Sequence, residues 1–354
     1  MRIVNIILTK DDGGVAKVSL DYANIFKSLG HQTSFITKKN SSFVNKIEKI
    51  GVNLNEVNNR FGYFDLIAIK QIAKHLKKLD ADLVVAHNSK AIALSKKAIK
   101  KLKKKPKLIA INHSTNVKRS IGANLILNVN KEIFYKTVDL GQPYDHSFVV
   151  YNGLDFAKDF TQSKINLLNK KEIVLGVIGR IDIYKNFSAV INALKILNEK
   201  TSQKFVIKIA GTGEEEQNLR KLAENLKIND QVEFLGWIED GYKFYQEIDI
   251  FVLPTLRETF GLVILEAIKH RKPIIATRTV GPSEILRHEK DGLLINIEPK
   301  EQMPDRIAKA VIKLVNNHHL VNDLVNNSYQ RALDHFSTEI LKQKLADILD
   351  MVKK

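Results

Sequence analysis

Short apolar runs alternate along this chain with longer stretches in which apolar residues recur every three or four positions, as strands and helices do in βαβ units. RIVNIIL (2–8) reads as a buried strand, followed by a glycine-containing turn and a helix from Val15 to Leu29 that Gly30 closes. TSFIT (33–37), DLVVAH (82–87) and KLIAIN (107–112) are further strands, with helices over Phe64–Lys78 and from Lys90, while the stretch up to Gly62 is less regular. The pattern weakens over Leu154–Lys171 and then restarts. Strands at 173–179, 205–211, 232–236, 250–254 and 273–277 alternate with helices over Asn186–Lys200, Glu215–Lys227 and near 262–270, and helices resume from about Asn322. The expected fold is two α/β doubly wound domains in succession. Ligands of such sheets bind at the carboxyl ends of the strands, here the loops that begin at Thr9, His87, Asn112, Arg180, Gly211 and Pro254, which are expected to face one cleft.

Composition narrows the chemistry. With 354 residues, 44% hydrophobic and 27% charged, the chain can build two packed cores. It has no cysteine, which excludes disulfides, thiolate zinc sites and a cysteine nucleophile and fits a reducing compartment. The N-terminal apolar stretch is broken by Lys10, Asp11 and Asp12, unlike a signal peptide, and no run approaches eighteen apolar residues. A cytoplasmic protein is expected.

Candidate chemistry gathers at the strand ends. Gly13-Gly14 ends the first strand and opens the first helix, where glycines admit a close ligand and helix amides face an anion; an ordinary tight turn is the alternative. Gly211-Thr212-Gly213 also follows a strand, but Glu214–Glu216 would repel a dinucleotide pyrophosphate. Asp80-Ala81-Asp82 has the D-x-D spacing of some metal-binding transferases yet starts a strand, at the end opposite the ligands, so no metal site is expected there. Arg180 and Lys185 flank the turn after a strand and suit a diphosphate, with a solvated surface pair as the alternative. In PTLRETFGLVILEAI (254–268), Glu258 lies in a loop and Glu266 eight residues on in a helix, so two carboxylates can accept bonds from vicinal hydroxyls.

At these residues the chain resembles the retaining glycosyltransferases of the GT-B fold, family 4 (glycosyl transferases group 1). Their E-x7-E motif corresponds to Glu258–Glu266 and GR-x4-K to Gly179-Arg180 with Lys185; VVYNGLD (149–155) resembles xPNGxD, with Tyr151 replacing proline. TVGPSEILRHEKDGLLI (279–295) resembles GGxxEIxxxGxxGxL, with Val280 before a single Gly281, and Arg271 stands where the family often has glycine. The resemblance implies two Rossmann-like domains facing a cleft: an acceptor-binding domain, 1–160, a nucleotide-sugar-binding domain, 161–335, and a last helix, 336–354, returning to the first. It implies that Arg180 and Lys185 bind the donor diphosphate, Glu266 the ribose, and Glu258 the transferred sugar with Phe260, Gly261 and Leu262. His113 corresponds to the active-site histidine, with Glu258 the second catalytic candidate; Gly13, Gly14 and Gly211 belong to the donor site, and Trp237 and Ile238 fall where the base is held. It also implies a front-face reaction with retention, UDP as the favoured donor nucleotide, and no cofactor or metal.

The net charge of +17 is uneven: 27 Lys and Arg face 12 Asp and Glu in residues 1–158, against 29 and 27 in the remainder. In KAIALSKKAIKKLKKKPK (90–107), Ala91, Leu94, Ala98 and Leu102 recur at helical spacing, which predicts a helix with nine lysines facing outward. Anionic lipid headgroups are the favoured target, placing a glycan or lipid-linked acceptor at the inner face of the membrane. Nucleic acid fits less well, because the lysine run carries no aromatic residue for stacking. Hydrolysis or epimerisation of a nucleotide sugar stays open as a second chemistry.

Overall fold

The computed structural model describes residues 1–157, 165–168 and 170–353, so the expected domain boundary at 160/161 lies outside the described residues. The chain forms two compact units, Met1–Asn152 with Leu341–Lys354, and Gly153–Ile340. The first contains β1 (Arg2–Ile7), α1 (Gly14–Ser28), β2 (Gln32–Lys38), α2 (Val44–Ile50), β3 (Asn53–Val57), α3 (Leu66–Lys78), β4 (Leu83–Ala86), α4 (Ser89–Ile99), β5 (Lys107–Asn112), β6 (Leu125–Asn128), α5 (Lys131–Asp139) and β7 (Ser147–Val149). The second contains β8 (Glu172–Ile178), α6 (Ser188–Lys200), β9 (Lys204–Ala210), α7 (Glu216–Asn225), β10 (Val232–Gly236), α8 (Gly241–Glu247), β11 (Ile250–Leu253), α9 (Leu262–Lys269), β12 (Ile274–Thr277), α10 (Val280–Ile285), β13 (Leu293–Ile295), α11 (Met303–Val315) and α12 (His318–Phe336). Helix α13 (Thr338–Lys353) follows, and Lys107 Nζ at the start of β5 donates to the Val352 carbonyl near its end.

Both sheets are wholly parallel, in the orders β3-β2-β1-β4-β5-β6-β7 and β10-β9-β8-β11-β12-β13. Such sheets are covered on both faces, so their strands are runs of Ile, Val and Leu rather than alternating patterns. Ile3, Ile6, Ile7, Val84 and Val85 in the first sheet, and Ile207, Ile209 and Phe251 in the second, are fully buried. Each such side chain contributes about 1.5–3 kcal/mol. In both sheets the order reverses beside the first strand, at β1/β4 and β8/β11, and the loops at those carboxyl ends carry the candidate residues.

Three expectations need correction. The less regular region before Gly62 contains α2 and β3; β3 (NLNEV) is a half-buried edge strand whose polar residues hide it from an apolar-run criterion. The C-terminal helices begin at Met303, not Asn322. The lysine-rich helix ends at Ile99, and residues 100–106 form a turn into β5, with Pro106 holding Lys105 out of the helical conformation at the strand's entry. Its lysines are also not uniformly outward: Lys96 Nζ donates to carbonyls of Arg119, Ser120 and Ile121.

Candidate functional site

In the second unit, three loops at strand carboxyl ends are laced together through glycines. The Gly179 amide donates to the Ala210 carbonyl at 3.0 Å, and the Gly211 amide to the Gly236 carbonyl at 2.7 Å. Gly179 and Gly211 have φ of +146° and +125°, and a Cβ on Gly211 would lie 1.9 Å from the Gly179 carbonyl oxygen. Only glycine allows this crossing. It sets the backbone of Arg180 against Gly211 and brings Gly236, followed by Trp237 and Ile238, to the same edge. The Trp237 ring is 66% exposed, a flat apolar face open to stacking, and Ile238 beside it is half-buried.

Lys185 folds back over Gly179 and meets Glu258, Nζ to Oε2 at 2.8 Å, with both side chains only about a fifth exposed (21% and 17%). Arg180, expected beside it, points to solvent and makes only a loose contact with Asp182 at 3.7 Å. The Glu258 loop is held by Gly281, whose amide donates to the Glu258 carbonyl at 3.0 Å and on which a Cβ would lie 2.2 Å from the Phe260 carbonyl oxygen. Beyond the loop, Gly261 takes φ +98° and starts α9 at Leu262 without a side-chain cap, so the first-turn amides face the loop's end of the helix. Phe260 presents backbone only, its ring being buried against Phe336. Glu266 is half-buried and accepts from Tyr245 Oη at 3.3 Å. Burial and the Glu266 charge push the Tyr245 hydroxyl well above its usual range, so it stays protonated, its one proton shared between the Val263 carbonyl at 3.1 Å and this carboxylate.

The remaining family motifs have structural explanations here. Arg271 follows α9 with φ +56°, a conformation that favours glycine, and its guanidinium lies 3.5 Å over the Tyr329 ring. After Tyr151 and the buried Asn152, Leu154 exchanges backbone bonds with Phe336 and Thr338, tying the 149–155 motif to the junction of α12 and α13.

In the first unit, Gly13 caps α1, with nothing within 4 Å of a Cβ built there, and Gly14 is the first helical residue. His113 follows β5, and its ring stacks on His87 at 5.7 Å between centroids. The Nε2 of His113 is sealed from solvent with no hydrogen-bond partner among the described residues, and burial lowers the imidazole to about 4. His87 is lowered further by burial and by His113; its Nε2 donates to Asn5 Oδ1 at 2.6 Å, since the Asn5 amide nitrogen is donating to the Ser19 carbonyl. His113 is thus a neutral hydrogen-bonding group at neutral pH, suited to orienting a hydroxyl. Its strand end is set by a buried polar ladder, Asn112 Nδ2 to Asn128 Oδ1 at 2.9 Å and Asn128 Nδ2 to Ser147 Oγ at 3.0 Å. Sequence reasoning missed this ladder, since isolated Asn and Ser residues carry no pattern. Asp80 and Asp82 are engaged by Arg2 and Lys104 at the amino end of β4, and among the described residues no three potential metal ligands converge.

Two parallel sheets whose glycine-laced carboxyl edges hold a Lys-Glu pair, an uncapped helix start and a neutral histidine define a two-domain Rossmann-like transferase of the GT-B fold. The glycosyl transferases group 1 profile matches residues 158–331 and the glycosyltransferase family 4 profile residues 12–158, and the chain belongs to this family of glycosyltransferases. An uncharacterized glycosyltransferase of Haemophilus influenzae is 26% identical over 343 residues, covering 94% of this chain and 95% of that one. The lipopolysaccharide core biosynthesis glycosyltransferase LpsE of Rhizobium meliloti is 31% identical over 141 residues, 40% of each chain. Among solved structures, Anabaena HepE in complex with UDP and glucose shares the fold, with a TM-score of 0.82 over 99% of both chains at 20% identity.

Proposed function

We propose that this glycosyltransferase transfers a sugar from a nucleotide-sugar donor, UDP-linked in the favoured case, to a lipid-linked or lipopolysaccharide or capsular acceptor with retention of anomeric configuration. The observation that carries the reading is the half-buried Lys185-Glu258 pair beside the uncapped start of α9. Cleavage of the anomeric bond builds negative charge on the leaving diphosphate, and Lys185, with Arg180 swinging in from solvent, supplies the compensating charge. That assignment makes a metal unnecessary. Glu258 and His113 hold sugar hydroxyls, Glu266 the ribose, and Trp237 the base. HepE was solved with UDP, and LpsE is a lipopolysaccharide core enzyme; both support the substrate classes.

The acceptor side is proposed to meet the anionic inner face of the membrane, through a different surface than the lysine run suggested. No helix among the described residues is long and apolar enough to cross a membrane. From the loop after β3 into the first turn of α3, however, Phe61, Phe64, Leu66 and Ile67 are 68%, 78%, 67% and 56% exposed, and Lys97 sits 4.8 Å over the Phe64 ring. Exposed rings flanked by cations suit the interface of an anionic bilayer.

The test is thermal stabilisation by UDP-, GDP- and ADP-sugars of the wild type and of Glu266→Ala, followed by NMR of the product formed with acceptor. Stabilisation of the wild type alone and a retained anomeric configuration support the reading; an inverted product, or turnover that ignores acceptor, overturns it.

A further inference from the structure

At the carboxyl edge of the first sheet, in part on the same β1–α1 loop as Gly13, lies an open pocket of about 480 Å³. Lys10 contributes to it from the loop after β1, Lys38 and Lys39 from the end of β2, and Asn58 and Arg60 from the loop after β3. Among the described residues none of these four cations forms an ion pair, although eight or more pairs occupy carboxylates elsewhere in the chain. Of the carboxylates nearest in sequence, Asp12 pairs with Lys46, Glu56 accepts from the Asn40 amide and keeps its charge, and Asp11 stands beside Lys10. Lys38 is half-buried, and its ammonium is pushed below its usual range by burial and by the neighbouring charges of Lys90 and Lys10. The four cations outnumber the two carboxylates, Asp11 and Glu56, that border them.

The walls are fixed rather than loose. Asp65 caps α3 by accepting from the Ala68 amide at 2.9 Å, and its other oxygen accepts from the amides of Arg60 at 2.7 Å and Phe61 at 3.1 Å. The Lys10 carbonyl accepts from the amide and hydroxyl of Ser42, and the Asn58 amide donates to Gln71 Oε1 at 2.8 Å. Cations in excess of the carboxylates beside them, carried on a backbone held at Lys10, Asn58 and Arg60, match a small, multiply charged anion with several acceptor oxygens, which describes a phosphate monoester or diphosphate better than a single carboxylate.

We propose that the Lys10-Lys38-Lys39-Arg60 pocket is a subsite for a phosphate group carried by the acceptor. This rests on the glycosyltransferase reading and adds the acceptor's chemistry to it. Two sources of that phosphate are possible in chemical terms, a membrane lipid or a soluble phosphorylated sugar, and Phe61, 68% exposed immediately after Arg60, sets the pocket beside the apolar ridge.

The experiment measures binding of inorganic pyrophosphate to the full chain by calorimetry, in an Arg180→Ala/Lys185→Met background that removes the donor-site cations. Binding should persist there and weaken at least tenfold when Lys38→Met and Arg60→Gln are added, with unchanged circular dichroism confirming the fold. The more conservative Lys39→Gln alone should weaken it by a smaller factor. Glucose 6-phosphate and phosphatidic-acid vesicles then separate the sources: loss of vesicle flotation in the pocket variant assigns a lipid phosphate, loss of glucose 6-phosphate binding a soluble one. Pyrophosphate binding that ignores the pocket substitutions, or that is no tighter than sulfate or chloride binding, overturns the subsite. Stabilisation of the wild type by the UDP-, GDP- and ADP-sugars is read on the same preparations; its absence with all of them would overturn the donor reading and leave the pocket result intact.

Discussion

The Lys185-Glu258 pair makes a prediction with opposite signs for its two members. At 2.8 Å and an effective dielectric of about 20, the gross attraction is roughly 6 kcal/mol. Desolvation of two side chains that are 21% and 17% exposed offsets much of it, leaving a coupling of about 1–3 kcal/mol. Lys185→Met therefore lowers stability by about that amount and, by removing a charge-assisted bond to the diphosphate, weakens UDP binding by about 10- to 150-fold. Glu258→Gln removes the carboxylate that competes for the lysine. UDP should then bind as tightly as in the wild type or more so, while the added affinity and turnover of the UDP-sugar fall. The assay is calorimetry of UDP and UDP-sugar with the two single variants and the double variant, closing a cycle whose coupling is read directly. Equal UDP affinity in Lys185→Met and the wild type would refute the diphosphate assignment. Glu258→Gln weakening UDP as much as UDP-sugar would refute the role of Glu258 in gripping the sugar.

Four further outcomes follow from the geometry. Gly211→Ala forces a Cβ to within 1.9 Å of the Gly179 oxygen at φ +125° and should cost about 3 kcal/mol or more in urea unfolding, whereas Gly13→Ala, with open space and φ −104°, should stay within about 0.5 kcal/mol yet lower turnover. Because the fold lowers His113 from its ordinary 6.5 to about 4, the unfolded chain takes up the proton first, so this residue's contribution is lost as pH falls from about 6.5 to about 4. His113→Gln should remove up to about 3 kcal/mol of that acid sensitivity in pH-dependent unfolding; Asp21, raised by burial to about 6, acts with the opposite sign in the overlapping window and is common to both proteins. Arg271→Gly relieves a left-handed residue but loses the Tyr329 stack, two effects of about 1 kcal/mol each, so its melting temperature should move by less than about 3 °C. Phe61→Ser with Phe64→Ser should abolish flotation with anionic vesicles, while Lys103→Gln with Lys105→Gln should reduce it only modestly.

What the sequence revealed and what it hid follow from one physical distinction. Central strands such as RIVNIIL and IVLGVIG bury both faces, so their apolar runs report their place in the sheet directly, whereas the edge strand Asn53–Val57 owes its existence to pairing with β2 and leaves no run to read. Likewise, residues that must be glycine because another backbone passes close by leave a visible mark: Gly179, Gly211 and Gly281 were already conspicuous, and the structure supplies their reason. The pairing of Lys185 with Glu258, 73 residues apart, has no local signature. The lysine run shows the converse. Its spacing fits a helix on paper, but α4 ends at Ile99, Pro106 keeps the approach to β5 extended, and Lys104 turns to Asp80 and Asp82 at the sheet's amino edge. Charge density in a sequence therefore located the basic unit but not its working face. The face proposed for the acceptor's phosphate carries instead four cations that form no ion pair among the described residues, drawn from three separate segments at the carboxyl edge where parallel sheets bind their ligands.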